Sequence, residues 1–295
     1  MSVTLRRWQT WAWVLPAVVL LLVFVYYPVV ENVRLSFFSW DAFNPDPQFV
    51  GLQNYQDAAA DPVFWRALFN NTAYAVVSLV FQVALAMVLA AVLEEFVGQR
   101  LRGPLRTIYF IPAAMSITVV GILFSFLYNP QFGLLNRALS AVGLQSLARP
   151  WLGQESTSIW SIIAMSQWQS IGYSAVLFVV AMQRVPREYY EAARVDGAGR
   201  IRSFFTITVP MVREMTTLLV ILTISGAFLV FNEVMVMTSG GPNNSSQVLG
   251  TWLYHQAFFE DNMGYASTVA TVIFVITFAI AAVQITVTRR RRFDV

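Results

Sequence analysis

Six separate stretches of this sequence are apolar enough, over enough residues, to cross a lipid bilayer. A helix needs about 20 mostly apolar residues to traverse the hydrocarbon layer. Backbone polar groups inside that layer must be satisfied within the structure, which leaves helices or closed barrels. The windows are Trp11–Val33, Ala73–Leu93, Ile108–Tyr128, Ile159–Met182, Met215–Met237 and Ala266–Val287. Composition agrees, with 57% hydrophobic and only 12% charged residues, where a soluble domain carries about a quarter charged. The expected fold is therefore an all-α membrane protein with six transmembrane helices. The first window follows Arg6 and Arg7 but has no small-residue cleavage site before Glu31. It is also too long for a signal-peptide core, so it reads as a retained span.

The arginines orient these spans. All 19 basic residues are Arg, and cytoplasmic loops collect basic residues. With the N-terminus inside, 15 of them fall on the cytoplasmic side: Arg6, Arg7, Arg100, Arg102, Arg106, Arg184, Arg187, Arg194, Arg200, Arg202, Arg213 and Arg289 to Arg292. Only Arg34, Arg66, Arg137 and Arg149 fall outside. Both termini are thus expected in the cytoplasm, and an odd number of spans would spoil the pattern. The chain divides into a cytoplasmic N-terminus (1–10), one transmembrane domain (11–290, with a charged loop at 185–212) and a cytoplasmic tail (291–295).

The outer segments have character of their own. Arg34–Asn71 is acidic and Pro-containing, with Asp41, Pro45, Asp46, Pro47, Asp57 and Asp61. Ser239–Tyr265 opens on Gly240-Gly241-Pro242-Asn243-Asn244, a turn cluster. Asn70 and Asn244 begin glycosylation sequons, which read as chance matches to a short pattern. His255 falls in this outer segment and reads as a structural or contact residue.

Absent residue types narrow the chemistry. Without Cys there is no disulfide and no Cys-based metal site, and the single His255 makes a His-rich metal site unexpected. Without Lys there is no Walker A phosphate loop and no Schiff base. The energy for any transport must then come from an ion gradient or from another subunit. The arginines are dispersed between apolar runs rather than gathered into a patch, so nucleic-acid binding is not expected.

The loop Val185–Val212 is charged yet helically ordered. Pro186 suits a first helical position, Glu188 favours the first turn, and Tyr189, Ala192 and Ala193 make an apolar stripe. Gly197 is a stop. A second helix starts near Arg200 with Ile201, Phe204, Phe205 and Thr208 on one face, and Pro210 ends it before the fifth span. Phe204 and Phe205 must be covered by the protein itself or by a partner.

Within this loop, Glu191-Ala192-Ala193 is followed after three residues by Gly197, after nine more by Ile207, and after two more by Val209-Pro210. The spacing resembles the EAA loop of binding-protein-dependent ABC importer permeases, with Val209 where Leu is usual. Asp196 and Ala198 extend the likeness to the form found in the carbohydrate branch. Phe49 to Tyr55, Ala67 to Thr72, Ile111-Pro112, Gly133 to Asn136 and Gly240 to Pro242 are similar to segments of the same branch. The Gly240-Gly241-Pro242 turn resembles that of the larger maltose-type permease, whose N-terminal extension and periplasmic insertion are not expected here.

This resemblance implies the fold of a type I ABC importer permease, with the loop seated as a coupling helix in a cleft of a separate ATPase. Glu191 would meet a basic or polar group of that ATPase. Ala192 and Ala193 would permit close approach, Gly197 would make the turn, Ile207 and Pro210 would anchor the loop to the fifth span, and Asp196 belongs to the same ATPase-coupling set. The implied partners are a second homologous permease, two ATPase subunits that bind ATP and Mg, and an extracytoplasmic solute-binding protein. The chain itself would carry no cofactor and no catalytic site.

Intramembrane polar residues are the candidates for a solute path. They are Gln82 in the second span, Gln167, Gln169 and Tyr173 in the fourth, and Asn232 with Glu233 in the fifth. Amides also serve as helix-to-helix glue. The leading reading is a sugar importer permease. The alternatives are the same machine for another solute, such as a glycerol phosphodiester, a polyamine or an amino acid, and an ion-coupled transporter working through Glu233. A membrane enzyme or assembly factor lacks a visible nucleophile and base.

Overall fold

The computed structural model describes residues 7–41, 43 and 46–290. Arg6, Pro45, Arg291, Arg292 and the tail 291–295 lie outside the described residues. Helices dominate. In chain order they are α1 (Trp13–Leu35), α2 (Gln53–Ala60), α3 (Pro62–Glu95), α4 (Gln99–Ala114) and α5 (Ile117–Leu127). There follow α6 (Leu134–Ala141), α7 (Ser158–Met182), α8 (Arg187–Val195) and α9 (Arg200–Met211). The last are α10 (Arg213–Phe228), α11 (Asn232–Met237), α12 (Leu249–Phe258) and α13 (Met263–Arg290). The only sheet among the described residues is a two-residue antiparallel pairing of β1 (Phe38–Ser39) with β2 (Gln48–Phe49).

Among the described residues, four helices are long and apolar enough to cross a membrane, and up to six spans result if each of two bent pairs counts as one. This count allows the six expected spans, but the third and fifth windows are not single continuous helices. The third window is broken: α4 and α5 meet at 94°. Met115 and Ser116 are extended at the break (ψ 148° and 134°). Pro112 sits just before it and cannot donate to the helical ladder. The fifth window is broken too, because α10 ends at Phe228 and Phe231 leaves helical geometry (φ −148°, ψ −58°) before α11.

The residues form two compact units. One comprises 1–61 and 253–274, the other 62–252 and 275–295. In the first, no residue of the apolar window of α1 is buried; a span surrounded by lipid tails tolerates this, since those tails are as apolar as its own side chains. Polar ties hold the end of α1 to α13. Asn32 donates to the Ser267 carbonyl (3.3 Å) and the Thr271 hydroxyl (3.2 Å), and Thr268 donates to the Ser36 carbonyl (3.1 Å). Asn54 donates to the carbonyls of Ser36 and Phe38, each at 2.9 Å.

The second unit packs α3, α7 and α10 around Val83, Ala86, Met87, Ala90, Ala175, Phe178, Val179, Met182 and Leu219. Ala86 and Ala90 are fully buried. Small residues let helices approach closely where no hydrophobic force drives them together. Gly172 shows the same need between α4 and α7: a Cβ there would lie 1.7 Å from the Tyr109 carbonyl oxygen. At the end of α3, Glu94 pairs with Arg106 and, at 3.5 Å, with Arg102, fixing the turn into α4.

Candidate functional site

The charged loop folds as two short helices joined by a left-handed turn. Pro186 occupies the N-cap of α8 in extended geometry, which suits its fixed φ and absent N–H. At the other end Gly197 takes φ +77°. Its N–H donates to the Arg194 carbonyl (3.1 Å), and the Ala198 N–H reaches back to the Ala193 carbonyl (2.8 Å). This pair of bonds is a Schellman cap, which requires a left-handed residue at that position. The expected stop is therefore a closed, hydrogen-bonded end rather than a loose hinge.

The face that α8 buries differs from the expected stripe. Tyr189 is 53% exposed, and Ala192 is exposed as well; Tyr190 and Ala193 are the half-buried pair. The Tyr190 and Thr208 hydroxyls lie 2.9 Å apart, which turns α8 by one residue relative to the apolar pattern. Glu191, Ala192 and Asp196 are left exposed.

The second helix is rooted in the core. Phe204 and Val209 pack against the buried cluster that includes Val212 and Leu219. Ile207 is half-buried and Pro210 exposed. A π-helical turn at Phe204–Thr208 precedes Pro210, and such a turn absorbs the hydrogen bond that proline cannot make. The chain bends by 70° between α9 and α10, with Val212 as the non-helical joint (φ −93°, ψ 13°). The break expected at Pro210 thus falls two residues later. Phe205 stays 65% exposed.

The intramembrane amides are engaged with neighbouring helices. Gln82 donates to the Gln167 side chain (2.9 Å), which donates to the Ser78 hydroxyl (3.0 Å) and the Ile163 carbonyl (3.2 Å). Gln169 donates to the Met115 carbonyl (2.9 Å), an oxygen left without a helical partner by the break between α4 and α5. Tyr173 and Asn232 are exposed, and Glu233 is half-buried. Asn232 and Glu233 start α11 beyond the break rather than sitting within a continuous span. Glu233 and Ser166 lie beside the Tyr74 hydroxyl, which is buried and, among the described residues, meets no partner in hydrogen-bond geometry.

Asn70 and Asn71 are residues that the sequence reading passed over as sites. Both are buried. Asn70 donates to the carbonyls of Ser245 (2.9 Å) and Gln247 (2.7 Å). Asn71 donates to the Ala227 carbonyl (2.6 Å) and accepts from the Leu249 N–H (2.8 Å). These bonds cap the broken end of α10 and pin the segment from Ser239 to Val248. Its turn cluster has left-handed Ser239, Gly240, Asn243 and Asn244, and Ser245 to Val248 are buried rather than free in an outer loop. A buried Asn70 with both amide hydrogens bonded is no glycosylation acceptor. His255 lies on α12, stacked on Phe259. Among the described residues no cluster of metal-ligating side chains forms.

Residues 82–292 match the model of the family described as the binding-protein-dependent transport system inner membrane component. The chain belongs to this family. It is a multi-pass inner-membrane permease component of an ABC transporter, not a catalytic subunit. The permease is 52% identical to the probable ABC transporter permease protein YurN of Bacillus subtilis, over 91% of this chain and 92% of that one. It is 32% identical to the diacetylchitobiose uptake system permease protein NgcF of Streptomyces coelicolor, over 90% and 78% of the two chains. Its fold matches a chain from a bacterial ABC transporter involved in the import of the acidic polysaccharide alginate. That match has a TM-score of 0.83 at 23% identity and covers 96% of each chain.

Proposed function

We propose that this permease imports a sugar or oligosaccharide and that α8 is the element through which a separate ATPase drives it. The observation that carries the reading is the mechanical connection of the loop. Glu191 and Ala192 stand exposed on α8 and Asp196 at its end, the Schellman cap at Gly197 closes that end, and the Tyr190–Thr208 hydroxyl contact ties α8 to α9. Phe204 and Val209 root α9 in the core shared by α3, α7 and α10. A push on α8 is thereby delivered to the membrane helices rather than absorbed by a flexible loop. Glu191 meets the ATPase, Ala192 and Ala193 keep the approach close, and Ile207 with Pro210 transmit the motion.

The working complex is this chain, a second homologous permease, two ATPase subunits that bind ATP and Mg, and an extracytoplasmic binding protein. The sugar assignment is supported by the relative named for diacetylchitobiose uptake and by the absence of any Arg from the six apolar windows. Within the membrane, Gln82, Gln167 and Gln169 frame the path by holding helices in register. Tyr173, Asn232 and Glu233 are the side chains left to meet solute, with Tyr74 behind Glu233.

A photo-crosslinking residue in place of Glu191, with the transporter assembled in membranes, tests the coupling role. An adduct with an ATPase subunit is expected. Adducts with lipid alone would sink the proposal.

A further inference from the structure

Beside the coupling loop lies an open groove of about 240 Å³ that the transport reading leaves unused. One wall is the end of α3, with Val88, Val92 and Phe96; the other is α9, with Arg200, Ile201 and Phe205. Phe96, Ile201 and Phe205 are all more than half exposed, so this helix pair leaves its apolar edges uncovered. Apolar surface of this kind next to a charged rim marks a binding surface.

Depth and charge point to one occupant. Val88 lies seven residues before Glu95 on the spanning helix, which is about 10 Å along the axis. The inner end of the groove therefore lies alongside the hydrocarbon layer, beyond the reach of a soluble subunit. The outer end lies on the Arg-rich side of the protein. There the Arg200 guanidinium sits 4.8 Å from the Phe96 ring centroid, and no carboxylate is within ion-pair distance of it among the described residues. Glu95 lines the same end, and it feels both Arg200 and Arg194, which lies outside the lining, so two guanidinium groups act there against one carboxylate. Basic pockets beside cytoplasmic helix ends are where anionic headgroups bind.

We propose that this groove holds an anionic glycerophospholipid of the cytoplasmic leaflet. Its acyl chain lies along Val88 and Val92, and its phosphate is held by Arg200. The lipid fills the angle between α3 and α9 and covers Ile201 and Phe205. Through that contact, anionic lipid steadies the base on which α8 rests. The site does not depend on which solute is carried.

The test places a photo-crosslinking residue at Val92 in the assembled transporter, reconstituted in bilayers containing equal phosphatidylglycerol and phosphatidylcholine, with adducts identified by mass. Phosphatidylglycerol adducts are expected to dominate. Arg200→Gln should cut that preference about five-fold, the loss expected for one interfacial cation, while Arg200→Lys should retain most of it. Arg137→Gln, on the opposite side, should leave it unchanged. Equal labelling of the two lipids would overturn the proposal. So would an Arg200→Gln preference equal to wild type, or an adduct at Val92 with the ATPase or the second permease in place of lipid.

Discussion

Replacing Gly197 separates backbone geometry from packing at the proposed coupling loop. Gly197 is left-handed (φ +77°), and no heavy atom lies within 4 Å of where its Cβ would be. Any loss on substitution therefore comes from backbone strain rather than collision. A left-handed conformation costs an L-residue about 1–2 kcal/mol, and Asn tolerates it best. A β-branched residue is a true outlier there. Since 1.4 kcal/mol is tenfold in an equilibrium, Ala should lower the closed-cap population by about five- to thirty-fold, Asn by less and Val by more. The assay is ATP-driven uptake in proteoliposomes holding the complete transporter, scored beside subunit assembly. The expected order is Gly, Asn, Ala, Val, with assembly intact. If Ala outperforms the bulkier Asn, a partner packs against position 197 and the backbone explanation fails. Wild-type uptake by the Val variant would refute it outright.

Other substitutions probe the frame. Asn71→Ala strands the Leu249 N–H and the Ala227 carbonyl, both buried, at about 1–3 kcal/mol each. A clear drop in the temperature at which the detergent-solubilised protein aggregates should follow; an unchanged value would show that these bonds do not matter. Gly172→Ala drives a methyl to within 1.7 Å of the Tyr109 carbonyl, so folded yield should collapse, and normal yield would mean that α4 and α7 do not approach this closely. Glu94→Gln weakens the charged hydrogen bond from Arg106, worth about 1.5–3 kcal/mol, and removes the ion pair with Arg102. Limited proteolysis should then cut the α3–α4 turn faster than in wild type.

The spans were legible because a bilayer imposes a length and a composition that few other environments require. Their interruptions were not. The breaks at Met115–Ser116 and Leu229–Phe231 lie in apolar stretches, and what stabilises them is distant: the Gln169 amide on one freed carbonyl, the Asn71 amide on another. Windowed hydropathy cannot register a hydrogen bond between residues 156 apart in sequence. The charged loop at 185–212 was legible in its punctuation, since Pro186 and Gly197 act through their own backbones. Its buried face was not. The pattern favoured Tyr189, but the Tyr190–Thr208 contact selected the neighbouring residue. Of the amides read as path candidates, Gln82, Gln167 and Gln169 are engaged between helices, an alternative that residue type alone leaves open, while Asn232 is exposed.

The most direct test of the central claim is solute uptake into proteoliposomes holding the whole transporter, with ATP enclosed with the ATPase and the loaded binding protein outside. Ionophores then dissipate every ion gradient while ATP is held constant. The account predicts unchanged uptake in wild type and loss of uptake when Gly197→Val is introduced. Uptake that collapses with the ionophore at constant ATP would contradict it.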